Sequence, residues 1–136
     1  MSTTAAVVET STLLKKSGTV TLDANGNGVL TFDPDNARQR WEIASVIVST
    51  NQLATATVVP LVTLAVNSTQ MATMSPANQR GASWNGNQDT FTGQIDIGPC
   101  DFVSVIFGPP AGTSGTPMAG VLATAILTGT KFTRRA

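Results

Sequence analysis

Apolar and polar positions alternate most strictly over Phe91–Ile97. Phe91, Gly93, Ile95 and Ile97 fall on one side, and Thr92, Gln94 and Asp96 on the other. That is the period-two pattern of a half-buried strand. Phe102–Phe107 is apolar on both sides apart from Ser104, which predicts a strand with little water on either face. Gly98-Pro99 between them predicts a tight turn. The two runs are therefore expected to form a hairpin leading from the edge of a sheet towards its middle. A second hairpin is expected where GTVTLD (Gly18–Asp23) and GVLTFD (Gly28–Asp33) flank Ala24-Asn25-Gly26-Asn27. Asn-Gly between two β-rich runs is a strong hairpin signal, because both turn residues take positive φ.

Arg40–Thr50 and Ala56–Val66 read as long strands, apolar on both faces. Pro60 has no N–H to give to a ladder, so the second is expected at a sheet edge or bulged at that residue. A last strand is expected from about Met118 to Phe132, broken near Gly129. Asn67–Thr90 reads as one long irregular region holding Met71, Met74 and Trp84, and Gly108–Pro117 as a second loop stiffened by proline. Met1–Ser17 carries Val7-Val8, Leu13-Leu14 and Lys15-Lys16. It reads as an arm or an added strand, giving an N-terminal arm (1–17) and one β-sandwich domain (18–136). Seven or eight strands and no helix predict an all-β, antiparallel, jelly-roll-like sandwich. The lack of crossover helices excludes a parallel α/β fold.

Charge sharpens this picture. Only 12% of the 136 residues are charged, against a typical ~25%. Eight basic and eight acidic residues balance, so neither a nucleic-acid partner nor a basic one is expected. Ile43–Gln79 and Phe102–Thr130 hold no charge at all. Long neutral stretches are expected where a surface meets other subunits. The most apolar segments, 53–66 and 118–128, are too short to span a bilayer, so no membrane partner is expected. No charged start followed by an apolar run marks a signal peptide.

The chemistry-bearing residues are sparse. His and Tyr are absent and Cys100 stands alone, which removes Ser-His and Cys-His catalysis and any internal disulfide. Asp33, Asp35, Glu42, Asp89, Asp96 and Asp101 are the carboxylates a glycosidase-like pair would draw on. Most sit beside turns, and their spacing selects no pair. Asp23–Leu30 partly matches a calcium loop, but Pro34 stands where the closing Glu belongs, so a turn is the preferred reading. The chain is expected to be no enzyme and to need no cofactor or metal. Trp84, Asn85, Asn87 and Gln88 are candidates for contact with a sugar or protein partner. Val7, Val8, Leu13, Leu14, Lys15 and Lys16 are candidates for anchoring.

The run GTVTLDANGNGVLTFDPDNARQRWEIASVIVST, together with FTGQIDIGPCDFVSVIFGPPAGTSG and ATAILTGTKF, resembles small virion structural proteins of tailed bacteriophages, particularly those of actinobacteria. The likeness covers most of Gly18–Phe132. It implies a jelly-roll-like sandwich on the outside of a particle, as a capsid decoration or minor capsid protein. The alternative it implies is a tail-associated module that binds a receptor or carbohydrate. Expected partners are other copies of the chain, major capsid or tail proteins and, in the tail reading, a host surface glycan. Its place would be the virion, assembled in the host cytoplasm.

Overall fold

The computed structural model describes residues 8–53, 55–76 and 87–135. They form eight strands: β1 (Glu9–Thr21), β2 (Gly28–Phe32), β3 (Gln39–Thr50), β4 (Leu61–Val66), β5 (Thr69–Met74), β6 (Asn87–Ile97), β7 (Val103–Gly108) and β8 (Leu122–Arg134). A single 3-10 turn at Thr116–Met118 precedes the last. Two four-stranded sheets result, A in the order β1-β8-β3-β6 and B in the order β2-β7-β4-β5. Every pairing is antiparallel, and first meets last: β1 with β8, β2 with β7, β3 with β6, β4 with β5. A ribbon of these four pairs, folded so that its halves stack, is the eight-stranded jelly roll.

The core fills the space between the sheets. Sheet A contributes Leu14, Trp41, Ile43, Val46, Val48, Ile95, Ile97 and Leu127. Sheet B answers with Phe32, Val62, Leu64, Val103, Val105 and Phe107. In β3 the inward positions are 41, 43, 46 and 48, so the alternation skips one residue. A bulge at Ala44 takes up the extra residue, between the register pairs of Ile43 and Ser45. Opposite it, Gly129 lets the bulged backbone approach. A Cβ at 129 would clash with the Glu42 carbonyl oxygen and lie 2.9 Å from the Ala44 nitrogen. Gly129 therefore does not break β8, which runs on to Arg134.

Several expected pairings are corrected. Phe91–Phe107 is no hairpin: β6 is an edge of sheet A and β7 lies inside sheet B. The turn after Gly98 is real, closed by the Asp101 N–H on the Gly98 carbonyl at 3.1 Å, but it carries the chain from one sheet to the other. The same holds for Asn25-Gly26, which links β1 in sheet A to β2 in sheet B. Only Gly26 takes positive φ there, at 78°. The Asp23 carboxylate accepts the Asn25 and Asn27 N–H groups at 2.8 and 3.0 Å, widening the bend beyond a two-residue turn. Opposed across the core, the inner faces of β1 and β2 cover each other, with Leu30 and Phe32 packed towards Gly18.

Pro60 lies just before β4, which starts at Leu61 and is an inner strand of sheet B. Thr69–Met74, expected to be loop, is strand β5. It reverses from β4 through Asn67-Ser68, with Asn67 at φ 55°. The described part of the expected arm belongs to the sheet: β1 pairs along its full length with β8, and the 17/18 boundary passes through its middle.

Candidate functional site

Sheet B carries no charged residue. GVLTF, LVTLAV, TQMATM and VSVIFG contain neither acid nor base, whereas each strand of sheet A holds at least one. Its outward positions follow from the register: Val29, Ile106, Thr63 and Thr73 in one row, and Thr31, Ser104, Ala65 and Gln70 in the next. Leu61 and Phe102 lie beyond these rows, at opposite ends. Val29 is 54% exposed, Leu61 39%, Phe102 37% and Ile106 38%, with Met71 at the bulge of edge strand β5 at 49%. In the middle, Ser104 and Ala65 are small and buried. The face thus sets exposed apolar side chains around two small residues that their neighbours cover. The two charge-free stretches of the sequence supply β4, β5 and β7, which locates their effect.

The loop end of the sandwich gathers the β1–β2, β3–β4, β5–β6 and β7–β8 connections. Of the two expected loops, Gly108–Pro117 corresponds to the connection 109–121 at this end, and of the other only 75–76 between β5 and β6 is among the described residues. A Cβ on Gly26 would lie 2.6 Å from the Gly115 carbonyl oxygen, so the first turn and the last loop touch through bare backbone. An open cleft of ≈ 390 Å³ is lined by Asn51, Gln52, Leu53, Thr55, Ala56, Pro117, Ala119, Gly120 and Val121. The amide oxygens of Asn51 and Gln52 already have partners. Asn51 Oδ1 accepts the Leu122 N–H at 2.9 Å. Gln52 takes the Thr50 hydroxyl at 3.2 Å and donates to the Val58 carbonyl at 2.7 Å. Among the described residues the cleft offers the Asn51 amide nitrogen, Thr55 and main chain to a ligand.

The sequence-derived candidates are dispersed. Trp84, Asn85 and Val7 lie outside the described residues. Asn87 and Gln88 point to opposite faces of β6, Asn87 into the core with its Oδ1 unpaired among the described residues and Gln88 to solvent. Leu14 is buried in the core and is not available for anchoring. Val8, Leu13 and Lys15 are exposed. Lys16 is tied down, 3.1 Å from Asp35 and 5.9 Å from the Trp41 ring centroid.

The carboxylates serve the fold. Asp89 accepts the Ser75 N–H at 2.9 Å, and Asp96 accepts the Gln94 amide at 2.9 Å. Asp101 accepts the Asn67 amide at 3.0 Å and the Gly98 N–H at 2.9 Å, and both contacts hold it below the ordinary carboxylate range. Hydrogen bonds from the Asn27 and Asn25 N–H groups lower Asp23 likewise, and the Lys16 ammonium lowers Asp35. Arg40 stacks 4.0 Å above Phe132 and forks between Glu9 and Glu42. No group of three His, Cys, Asp or Glu able to hold a metal occurs among the described residues.

No family model matches the chain, and no curated protein does. Solved structures do. The dimeric latent PorU of Porphyromonas gingivalis aligns at 10% identity and TM-score 0.45, over 90% of this chain and 13% of that one. A family 35 carbohydrate-binding module from an environmental isolate aligns at 15% identity and TM-score 0.41, over 85% and 74%. A chain of infectious bursal disease virus, Gx strain, aligns at 14% identity and TM-score 0.29, over 90% and 37%. The chain thus spans about an eighth of the first and over a third of the last.

Proposed function

We propose that this chain is a non-enzymatic structural protein of a bacteriophage virion, present in many copies on the particle exterior as a capsid decoration or minor capsid protein. The observation that carries this reading is the charge-free outer face of sheet B. An isolated protein keeps its charge spread over its surface to stay soluble. Here it is held on sheet A and the connections, while Val29, Leu61, Met71 and Ile106 stand exposed on a sheet that carries none. Such a face is built to be covered, as the surface of a subunit among other subunits is. The resemblance of Gly18–Phe132 to phage virion proteins supplies the setting. The test is to purify particles from the source and measure the protein in them by quantitative mass spectrometry and antibody labelling. Many copies per particle on the outer surface are expected; absence from washed particles refutes the reading.

The alternative, a tail-associated receptor- or carbohydrate-binding module, is favoured by the ≈ 390 Å³ cleft at the loop end. It predicts glycan binding that Ala119→Trp blocks and Ile106→Asp spares. The engaged amide oxygens of Asn51 and Gln52 leave it the weaker of the two.

A further inference from the structure

We infer that the open edge of β1 takes the β1 of a second copy, antiparallel, so that two copies of sheet A join into one continuous sheet. This rests on the reading above in that it names one partner of the proposed multi-copy assembly, but it is argued from β1 itself.

The main chain makes the edge available. β1 pairs with β8 on one side, and among the described residues no strand lies along its other. The Arg135 N–H donates to the Val8 carbonyl at 2.9 Å, and the Leu22 N–H to the Val121 carbonyl at 2.8 Å. Both pairs continue the register of β1 with β8, so the even-numbered residues of β1 turn their main chain towards β8. Glu9, Ser11, Leu13 and Lys15 turn theirs outwards, as donors and acceptors that β8 does not use. This half of β1 is bare on its faces too, with 10–13 all exposed. The other sheet edges suit a strand less well. β2 and β5 have five and six residues. β6 sets Thr92–Ile95 against Ile43–Ser45, one residue more, and such a bulge bends an edge.

Charge selects the occupant. Any extended strand could use the main-chain groups, so side chains decide which one fits. Glu9 and Lys15 share the outer face of sheet A, one near each end of the exposed half of β1. An acid at one end and a base at the other form a pattern complementary to its own antiparallel copy. With the two-fold axis at Thr12, Glu9 of each strand stands opposite Lys15 of the other, and Ser11 opposite Leu13. All of these turn their main chain outwards, so opposite residues exchange about eight hydrogen bonds in all. The two Leu13 side chains lie diagonally across the axis, within reach of each other. At 77% exposure Leu13 is the barest large apolar residue among the described residues. Axes at Leu13 or Leu14 lose both ion pairs, and axes at Lys15 or Lys16 set lysine against lysine. Arg40 holds Glu9 from the β3 side at 3.0 and 3.2 Å, and each carboxylate oxygen keeps a further lone pair for the incoming ammonium.

Size sets the strength. Seven residue pairs span about 24 Å, a contact below the standard size. The strand is already ordered in the monomer, so pairing it costs little conformational freedom. The free dimer is accordingly weak, and repetition on a particle raises its effective concentration. Because opposite charges set the register, added salt weakens it.

The experiment is sedimentation velocity on the purified full chain from ~5 to ~500 µM, at low salt and at about 0.5 M sodium chloride. A concentration-dependent shift to twice the monomer mass, diminished by salt, is expected. Leu13→Pro removes an N–H that β8 does not use, so it should abolish the dimer while the circular dichroism spectrum stays native. Lys15→Glu, which sets acid against acid on both sides of the axis, should raise the Kd roughly tenfold or more, and it decides the matter should Leu13→Pro fail to fold. A chain monomeric at ~500 µM in low salt overturns the inference, and so does a dimer that folded Leu13→Pro leaves intact. A dimer indifferent to Lys15→Glu overturns the register and with it the choice of a second β1. None of these results touches the virion reading, which stands or falls on the protein's presence in particles. A dimer from a protein absent from particles would keep this inference and defeat that reading.

Discussion

Gly129→Ala tests whether the Ala44 bulge is held by the bare backbone opposite it. The substitution adds one carbon, placed inside contact distance of the Glu42 carbonyl oxygen and 2.9 Å from the Ala44 nitrogen. Both are main-chain atoms in the centre of sheet A, where β3 is paired on both sides. No side chain can rotate away to make room. Overpacking a core typically costs about 1–3 kcal/mol, and a backbone clash between inner strands belongs near the upper figure. At this chain length each kcal/mol moves the melting temperature by roughly 3–4 °C, so a fall of about 10 °C is expected. The assay is thermal denaturation followed by circular dichroism at 218 nm, a wavelength chosen for β-structure. Gly112→Ala is the control. Its Cβ would meet nothing within 4 Å, while its φ of 78° disfavours any side chain, so it should cost only about 1 kcal/mol. A Gly129→Ala protein melting within about 2 °C of the parent would refute the reasoning.

Four further outcomes are expected. Leu14→Ala should cost about 2–5 kcal/mol by urea denaturation, the usual penalty for a buried leucine, and deleting residues 1–17 should abolish the cooperative transition, since only Gly18–Thr21 would remain to pair with β8; a cooperative transition in the truncated chain would restore the separate arm. Asn67→Ala should cost about 1–3 kcal/mol, because it loses the bonds to Asp101 and the Phe102 N–H and leaves alanine at φ 55°; an unchanged urea midpoint would contradict this. The folded-state values of Asp23, Asp35 and Asp101 are depressed, so each contributes stability above the unfolded carboxylate value that is lost as the pH falls through the lower folded one. With no histidine in the chain, melting should vary little from pH 5 to 8 and fall below about pH 4; a triple Asp→Asn variant at these positions that keeps the same acid decline would show that other groups cause it.

The strands were legible in the sequence far better than their partners. The alternation of Phe91–Ile97 and the apolar run of Phe102–Phe107 mark β6 and β7, because burial of one face or two leaves a direct trace in residue order. The choice between hairpin and crossover leaves none. Asn25-Gly26 and Gly98-Pro99 reverse the chain in either case, and which sheet receives the next strand depends on residues far away. Thr69–Met74 escaped notice because it is an edge strand with mostly exposed residues. The charge-free stretches were visible, yet their meaning needed the register. Only when β2, β4, β5 and β7 are set side by side do scattered neutral segments become one face. Sites sought through chemistry-bearing side chains missed it, since a face of this kind is marked by what its residues lack.

The order β1-β8-β3-β6 also governs the time at which the protein can exist. The last strand synthesised, β8, lies between the first and the third. Sheet A has no continuous form until Leu122–Arg134 is available, whereas every strand of sheet B lies upstream of it. On a ribosome, β2, β7, β4 and β5 can close while β1 still lacks any neighbour. Their apolar inner side then stays half-roofed until the thirteen residues of β8 slide in between β1 and β3. Such non-local closure is slow. The nascent chain is most prone to mispairing with its siblings in the interval before β8 is available.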